Sequence, residues 1–290
     1  LIEFSKLCEL MEKDDLAKSY LERASLLKKS LNKYAWDGSY FIRATKDDGT
    51  PLGSRKNKEG KIYLNSQIWS VISNSATREH SKKAMDSARK YLYKEYGPLL
   101  LTPAYSSPDA TIGYITRYAP GIRENGGVYT HAACWAILAE CLLKKADNAY
   151  LLYTKISPIL RSHQNPDHFR TEPYVLPGNT DGPESPYFGR GGWSWYTGSA
   201  SWLFKVLTEY LLGIRPTYEG LLIDPCIPKS WSHFRMKRLF RNATYLIEVE
   251  NPKYVSSGVK SITINGKYQR SNLITPQAPN KVHRIKVVMG

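Results

Sequence analysis

The spacing of apolar positions divides this chain of 290 residues in two. Up to about residue 212 they recur every three or four residues, the period of a helix with one buried face. Leu16, Tyr20, Leu21, Ala24, Leu27 and Leu31 mark one amphipathic helix, and Ile68, Trp69, Val71 and Ile72 a short one. Residues 78–96 form a charged amphipathic stretch that Gly97-Pro98 should end. Residues 130–144 are apolar nearly all round, which predicts a helix buried on every side. Another helix is expected at 147–161. The last is expected at 199–212, where Leu203, Val206, Leu207, Tyr210 and Leu211 share a face before the stop signals Gly213 and Pro216.

After Gly220 the period falls to two. Leu221-Leu222-Ile223, then Tyr245, Ile247 and Val249, then Ile262 and Ile264, then Ile285 and Val287 alternate with polar residues, and Asn265-Gly266 is a hairpin signal. The expected fold is mainly α with a C-terminal β unit: a helical region at 1–217 and a small antiparallel β domain at 218–290. Three connections, 36–66, 97–129 and 162–198, are long for a helical domain, and loops of that length usually carry function. Each leads into a helix on its apolar side, so they are expected to converge on one rim.

Composition narrows the class. Apolar residues make up 42% of the chain, which argues against disorder. No apolar run is long enough to span a bilayer. Cys8, Cys134, Cys141 and Cys226 lack metal-type spacing and fit a reducing, cytoplasmic compartment. Asn242-Ala-Thr is a formal glycosylation sequon with nothing beside it that points to secretion. The net charge of +15 raises the question of nucleic acid, but the lysines are dispersed over helix faces rather than gathered in a stripe. No nucleic-acid partner is expected, and the positive field suits a small anion such as phosphate.

Candidate chemistry sits in the loops. In Gly189-Arg-Gly-Gly-Trp-Ser-Trp-Tyr-Thr-Gly-Ser-Ala-Ser-Trp202 a glycine-rich segment runs into a helix start, with Thr197 and Gly198 at the junction. The first N–H groups of a helix have no partners and favour an anion, while the aromatic rings suit sugar faces. A tight aromatic turn would read the same way. In Trp36-Asp37-Gly38-Ser39-Tyr40-Phe41 one carboxylate lies among aromatics; desolvated by tryptophan it would hold a proton and act as an acid, though a plain Asp-Gly turn is the simpler reading. In the stretch Tyr118 to His131 a glycine pair again precedes a helix. Thr130 is placed to cap that helix, and His131 stands in its first turn, with Arg123, Glu124 and Tyr129 upstream.

These segments carry a resemblance. Ile122-Arg-Glu-Asn-Gly-Gly-Val-Tyr-Thr-His-Ala132, Gly189 to Ala200, Ile223-Asp-Pro-Cys-Ile-Pro-Lys-Ser-Trp231, Trp36 to Ala44, Thr50-Pro-Leu-Gly-Ser54 and Glu172-Pro-Tyr-Val175 resemble glycoside hydrolase family 94. That family comprises cellobiose and chitobiose phosphorylases and the C-terminal region of cyclic β-1,2-glucan synthases. The approach from Tyr118 to Gly127 is most similar to the glucan-synthase branch.

The resemblance implies part of an (α/α)6 barrel followed by a β domain, and phosphorolysis of a β-linked glucoside or glucan with inversion. It assigns Asp37 as the general acid, His131, Thr197 and Gly198 as the phosphate site, and Trp36, Tyr118, Arg123 and Glu124 as sugar contacts. Inorganic phosphate is a co-substrate; no metal or organic cofactor is implied. Family members also carry an upstream half-barrel, an N-terminal β-sandwich, a phosphate-binding arginine and an Arg-Asp pair for the donor sugar. This chain, opening on Leu1 with a helical pattern, is expected to be the C-terminal piece of a longer protein, alone in the cytoplasm or as a domain of an inner-membrane protein. Its uncovered apolar face would pack on the upstream half or on a second copy. Tyr40 departs from the tryptophan many relatives carry there. Two rivals are a non-catalytic carbohydrate-binding module and an inverting hydrolase with Glu124 or Glu172 as base.

Overall fold

The computed structural model describes all residues, 1–290. The chain forms two compact units. The first comprises Leu1–Lys94, Pro98–Gly127 and Gly182–Pro186; the second comprises Glu95–Gly97, Val128–Asp181 and Tyr187–Gly290. No helix is long and apolar enough to cross a membrane.

The first unit is built on four helices: α1 (Ile2–Leu10), α2 (Asp14–Tyr34), α3 (Leu64–Ile72) and α4 (Arg78–Tyr91). α1 and α2 pair as a hairpin, with Phe4 edge-on to Tyr20 at 5.1 Å. Their apolar side is largely uncovered: Leu16, Leu21, Leu26, Leu27 and Leu31 are exposed, and Ala17 is buried. α3 is deeply set, with Leu64 and Ile68 fully buried. α4 is held at its start by Thr77, whose hydroxyl accepts from the His80 N–H at 3.1 Å. It ends at Tyr91 rather than at 96, because the chain doubles back there and Leu99 N–H donates to the Leu92 carbonyl.

In the second unit α5 (Thr130–Leu142) is buried almost throughout, as its all-round apolar sequence predicts. It packs against α6 (Ala146–Ile156) and α9 (Thr197–Val206). The single helix expected at 147–161 is two: Pro158 lacks an N–H to continue α6 and instead opens α7 (Pro158–Gln164), followed by the one-turn α8 (Pro166–Phe169). α9 loosens into a π turn at Leu207–Leu211 before the strands begin at Ile214.

Strands Ile214–Pro216, Leu221–Ile223 and Leu273–Ile274 make a small sheet. A five-stranded sheet runs in the order His233–Phe240, Ala243–Glu250, Val282–Met289, Val259–Ile264, Lys267–Gln269. The inward residues of both sheets, Ile223, Tyr245, Ile247, Val249, Ile262, Ile274, Ile285 and Val287, share one core.

The β domain departs from the purely antiparallel arrangement that was expected. Ala243–Glu250 and Val282–Met289 run parallel, with Ile247 opposite Ile285 and Val249 opposite Val287. The last strand comes back only after Leu273–Ile274 has joined the small sheet, and inserts between strands already formed. Period-two patterning sets which residues face in and says nothing about strand order. His233–Phe240 is a further strand, missed because Arg238 takes an inward position and Leu239 an outward one, which interrupts its apolar alternation.

Candidate active site

Asp37 follows α2 in a tight turn. The Asp37 N–H donates to the Tyr40 carbonyl at 2.9 Å, and Trp36 bridges to Phe41. Gln67 of α3 fixes the turn from below, accepting from the Phe41 N–H and donating to the Phe41 carbonyl, each at 2.9 Å. The carboxylate is mostly buried. Its Oδ2 accepts from the Ser54 hydroxyl and from the Arg55 N–H, both at 2.8 Å, and its Oδ1 lies 3.8 Å from Arg55 Nε. Burial, reinforced by the Asp37 charge, pushes the neighbouring Tyr40 phenol up to about 12, so it stays a neutral donor to the Lys61 carbonyl.

One expectation changes. Trp36 is no desolvating lid for Asp37: it stacks on His80 with ring centroids 3.8 Å apart and packs, partly buried, against a small core of Phe41, Ala76 and Ala84. Asp37 is surrounded by hydrogen-bond donors instead of apolar rings. Ser54, Arg55 and Gln67 were not singled out from sequence. The Gly53-Ser54 end of the Thr50–Ser54 motif was the available signal.

The loop 118–127 is a second rigid feature of the first unit. Asn125, fully buried, accepts from the Tyr105 N–H at 2.7 Å and donates to the carbonyls of Tyr105 and Tyr118, each at 2.8 Å. Arg123 lies over the Tyr118 ring at 4.7 Å, and its Nε is 3.6 Å from Glu124 Oε2. The Arg123 carbonyl would be 2.6 Å from any Cβ at position 127, so only glycine fits there. Tyr118, Arg123 and Glu124 are thus brought together as expected.

In the second unit His131 opens α5. Thr130 does not cap that helix: it is the first helical residue and is buried, and its N–H donates to the Gly178 carbonyl at 3.0 Å. The His131 ring packs on the start of α9. A Cβ at Gly198 would lie 3.3 Å from His131 Cε1 and 3.5 Å from Nδ1, so the imidazole rests against the bare Cα of α9's first turn. Trp135 flanks the ring at 4.5 Å, and His131 Nε2 is buried with no hydrogen-bond partner. Burial pulls the imidazole below its ordinary range, so it is neutral at pH 7. Thr197, the first residue of α9, is exposed, and Tyr196 before it provides no side-chain cap. The His131 ring and the first turn of α9, whose leading N–H groups a helix leaves without intrahelical partners, thus lie side by side.

The motifs that build these sites are those of a known family. The model of the glycosyl hydrolase 94 superfamily catalytic domain matches residues 1–213. The chain belongs to that family. It is 37% identical over 97% of its length to a solabiose phosphorylase from Paenibacillus borealis, covering 36% of that protein. It is 35% identical over its whole length to an N,N'-diacetylchitobiose phosphorylase from Vibrio proteolyticus, again covering 36%. It is 37% identical over 84% of its length to the cyclic β-(1,2)-glucan synthase NdvB of Rhizobium meliloti, covering 9% of that protein. The chain thus spans about a third of the length of the phosphorylases it matches. Among solved structures a sialidase shares the fold over 81% of this chain at a TM-score of 0.57 and 16% identity, with 21% of that structure covered.

Proposed function

We propose that this family 94 chain is the C-terminal catalytic part of an inverting β-glucoside or β-glucan phosphorylase, in a parent of the cyclic β-1,2-glucan synthase type. In this reading residues 1–217 supply half of an (α/α)6 barrel, residues 218–290 form its β domain, and the uncovered apolar faces of α1 and α2 pack on the other half. The contact between the His131 ring and Gly198 supports the proposal, because it puts two of the residues assigned to phosphate, 67 positions apart in sequence, against each other.

The chemistry follows from the parts. A phosphate held by His131, Thr197 and the Gly198 N–H attacks the anomeric carbon. Asp37 Oδ1, on the oxygen not engaged by Ser54 and the Arg55 N–H, gives its proton to the glycosidic oxygen. The C–O bond to the leaving sugar breaks, the new C–O–P bond forms on the opposite face, and an α-sugar 1-phosphate results. One carboxylate suffices, because phosphate is already a nucleophile and needs no base. Arg123 and Glu124, over Tyr118, hydrogen-bond the acceptor-side sugar.

The test is product analysis of the full-length parent with linear β-1,2-glucan. Phosphate-dependent release of α-glucose 1-phosphate is expected. Equal turnover with and without phosphate, giving free sugar, would overturn the reading in favour of a hydrolase.

A further inference from the structure

Glu172, Tyr174 and Trp195 are not used by the chemistry above, yet they stand together at the surface of the second unit. Trp195 is 62% exposed and Tyr174 70% exposed. Their rings meet edge to face at 6.1 Å. The indole N–H of Trp195 donates to Glu172 Oε1 at 3.1 Å, which fixes the indole beside the carboxylate. Hydrogen bonds from its own N–H, then from Ser194 and Trp195, hold the Glu172 carboxyl below its ordinary range. Trp195 takes a φ of +62°, in the left-handed region that bulky residues avoid. The backbone is therefore held in a costly conformation with a large indole left outside. Large aromatics kept at the surface commonly mark contact sites.

We propose that Trp195 and Tyr174, with Glu172, form a platform for a pyranose ring of a β-glucan chain, next to the sugar that reacts. One ring offers its flat face to the C–H side of a sugar, the other, set at 70° to it, flanks that sugar, and the second oxygen of Glu172 accepts from its hydroxyls. A sugar presents donors in quantity and no charge. A second copy of this chain, with a net charge of +15, would be repelled as a whole, and a peptide would need a cation opposite Glu172. Trp195 lies two residues before Thr197, so their Cα atoms are within about 7 Å. A ring held here would be close enough to share a glycan chain with the sugar that the phosphate attacks. The platform rests on the carbohydrate function proposed above and adds a preference for oligomers over small saccharides.

The experiment is a tryptophan-fluorescence titration of this chain, without phosphate, using glucose and a linear β-1,2-gluco-oligosaccharide as probes. The oligomer is expected to bind and glucose to bind far more weakly. Trp195→Ala should weaken oligomer binding about tenfold, the scale of one aromatic contact, while Trp195→Phe restores most of it. Tyr174→Ala, read by the remaining tryptophans, gives the same loss without touching the strained position, and circular dichroism checks that each variant is folded. Oligomer binding unchanged in both alanine variants overturns the platform and leaves the phosphorylase reading intact. No oligomer binding by the wild-type chain also overturns it, as does a change of oligomeric state in place of a change in sugar affinity. Phosphorolysis by the parent is measured separately, so failure of that reading is distinguishable.

Discussion

Asp37 and His131 are both assigned to chemistry, and their surroundings are opposite. The Asp37 carboxylate is gripped: two donors share Oδ2 and a guanidinium faces Oδ1. The His131 imidazole is left wanting: it is wedged between Trp135 and Gly198, with Nε2 buried and unpartnered. A buried polar atom without a partner is costly, and native proteins rarely keep one without a use. The grip fixes the direction of the carboxylate that the proposed reaction uses as its proton donor. In the proposed reaction the partner that the imidazole lacks is the phosphate. The two sites should therefore respond differently to substitution.

The largest effect is expected at Asp37. Asp37→Asn keeps the shape and, with its amide oxygen toward Ser54 and the Arg55 N–H, both accepted hydrogen bonds, but cannot donate an acidic proton. In the full-length parent it should lower turnover on natural glycosides by at least about 10²-fold, the scale of general acid loss. A substrate with a good leaving group needs little protonation and should be hurt much less. Near wild-type rates on both substrates would show that the grip of Ser54 and Arg55 serves only the turn.

The contrast also explains what could be read from sequence. Helix periodicity gave α2, α3, α5 and α9 because each buries a face at regular spacing, and the helix-to-strand change near residue 213 was equally visible. It overran at α4 and at 147–161, where a reversal and Pro158 end helices that the pattern would continue. The motif residues pointed to Asp37, His131 and Gly198. Their settings were not legible, because Ser54, Gln67 and the stacked His80 come from segments that only the fold brings close. Trp36 shows the risk: next to an aspartate in sequence, its ring belongs to the core. Strand order stayed hidden for the same reason, since the pairing of 243–250 with 282–289 depends on the path between them.

A middle-sized effect is expected at α9's first turn. Gly198→Ala places a methyl 3.3 Å from His131 Cε1, tighter than ordinary contact, and the ring, braced by Trp135, has to shift. The phosphate KM of the parent should rise about tenfold, the loss of roughly one charge-assisted hydrogen bond, with the sugar KM nearly unchanged. Thr197→Ala should act in the same direction without crowding the ring. An equal rise in both KM values would mean that the contact only packs α5 on α9.

The smallest effect is a pH slope, and it separates an anion cradle from a plain core histidine. Burial alone lowers the His131 pKa from its ordinary value of 6.5. A group depressed in this way contributes stability above its unfolded value. That contribution is lost as pH falls from about 6.5 through the lower folded value, since the unfolded chain takes the proton first. A bound dianion reverses the sign, because it favours the imidazolium and raises the pKa. Sulfate, which does not itself titrate in this range, should therefore bind a few-fold more tightly at pH 5.5 than at pH 7.5. It should also offset part of the acid loss of stability in thermal melts of the chain. His131→Gln should flatten the slope of sulfate affinity while leaving the fold intact. Should the wild-type slope be flat too, His131 holds no anion, and its orphaned nitrogen is a cost of packing α5 against α9.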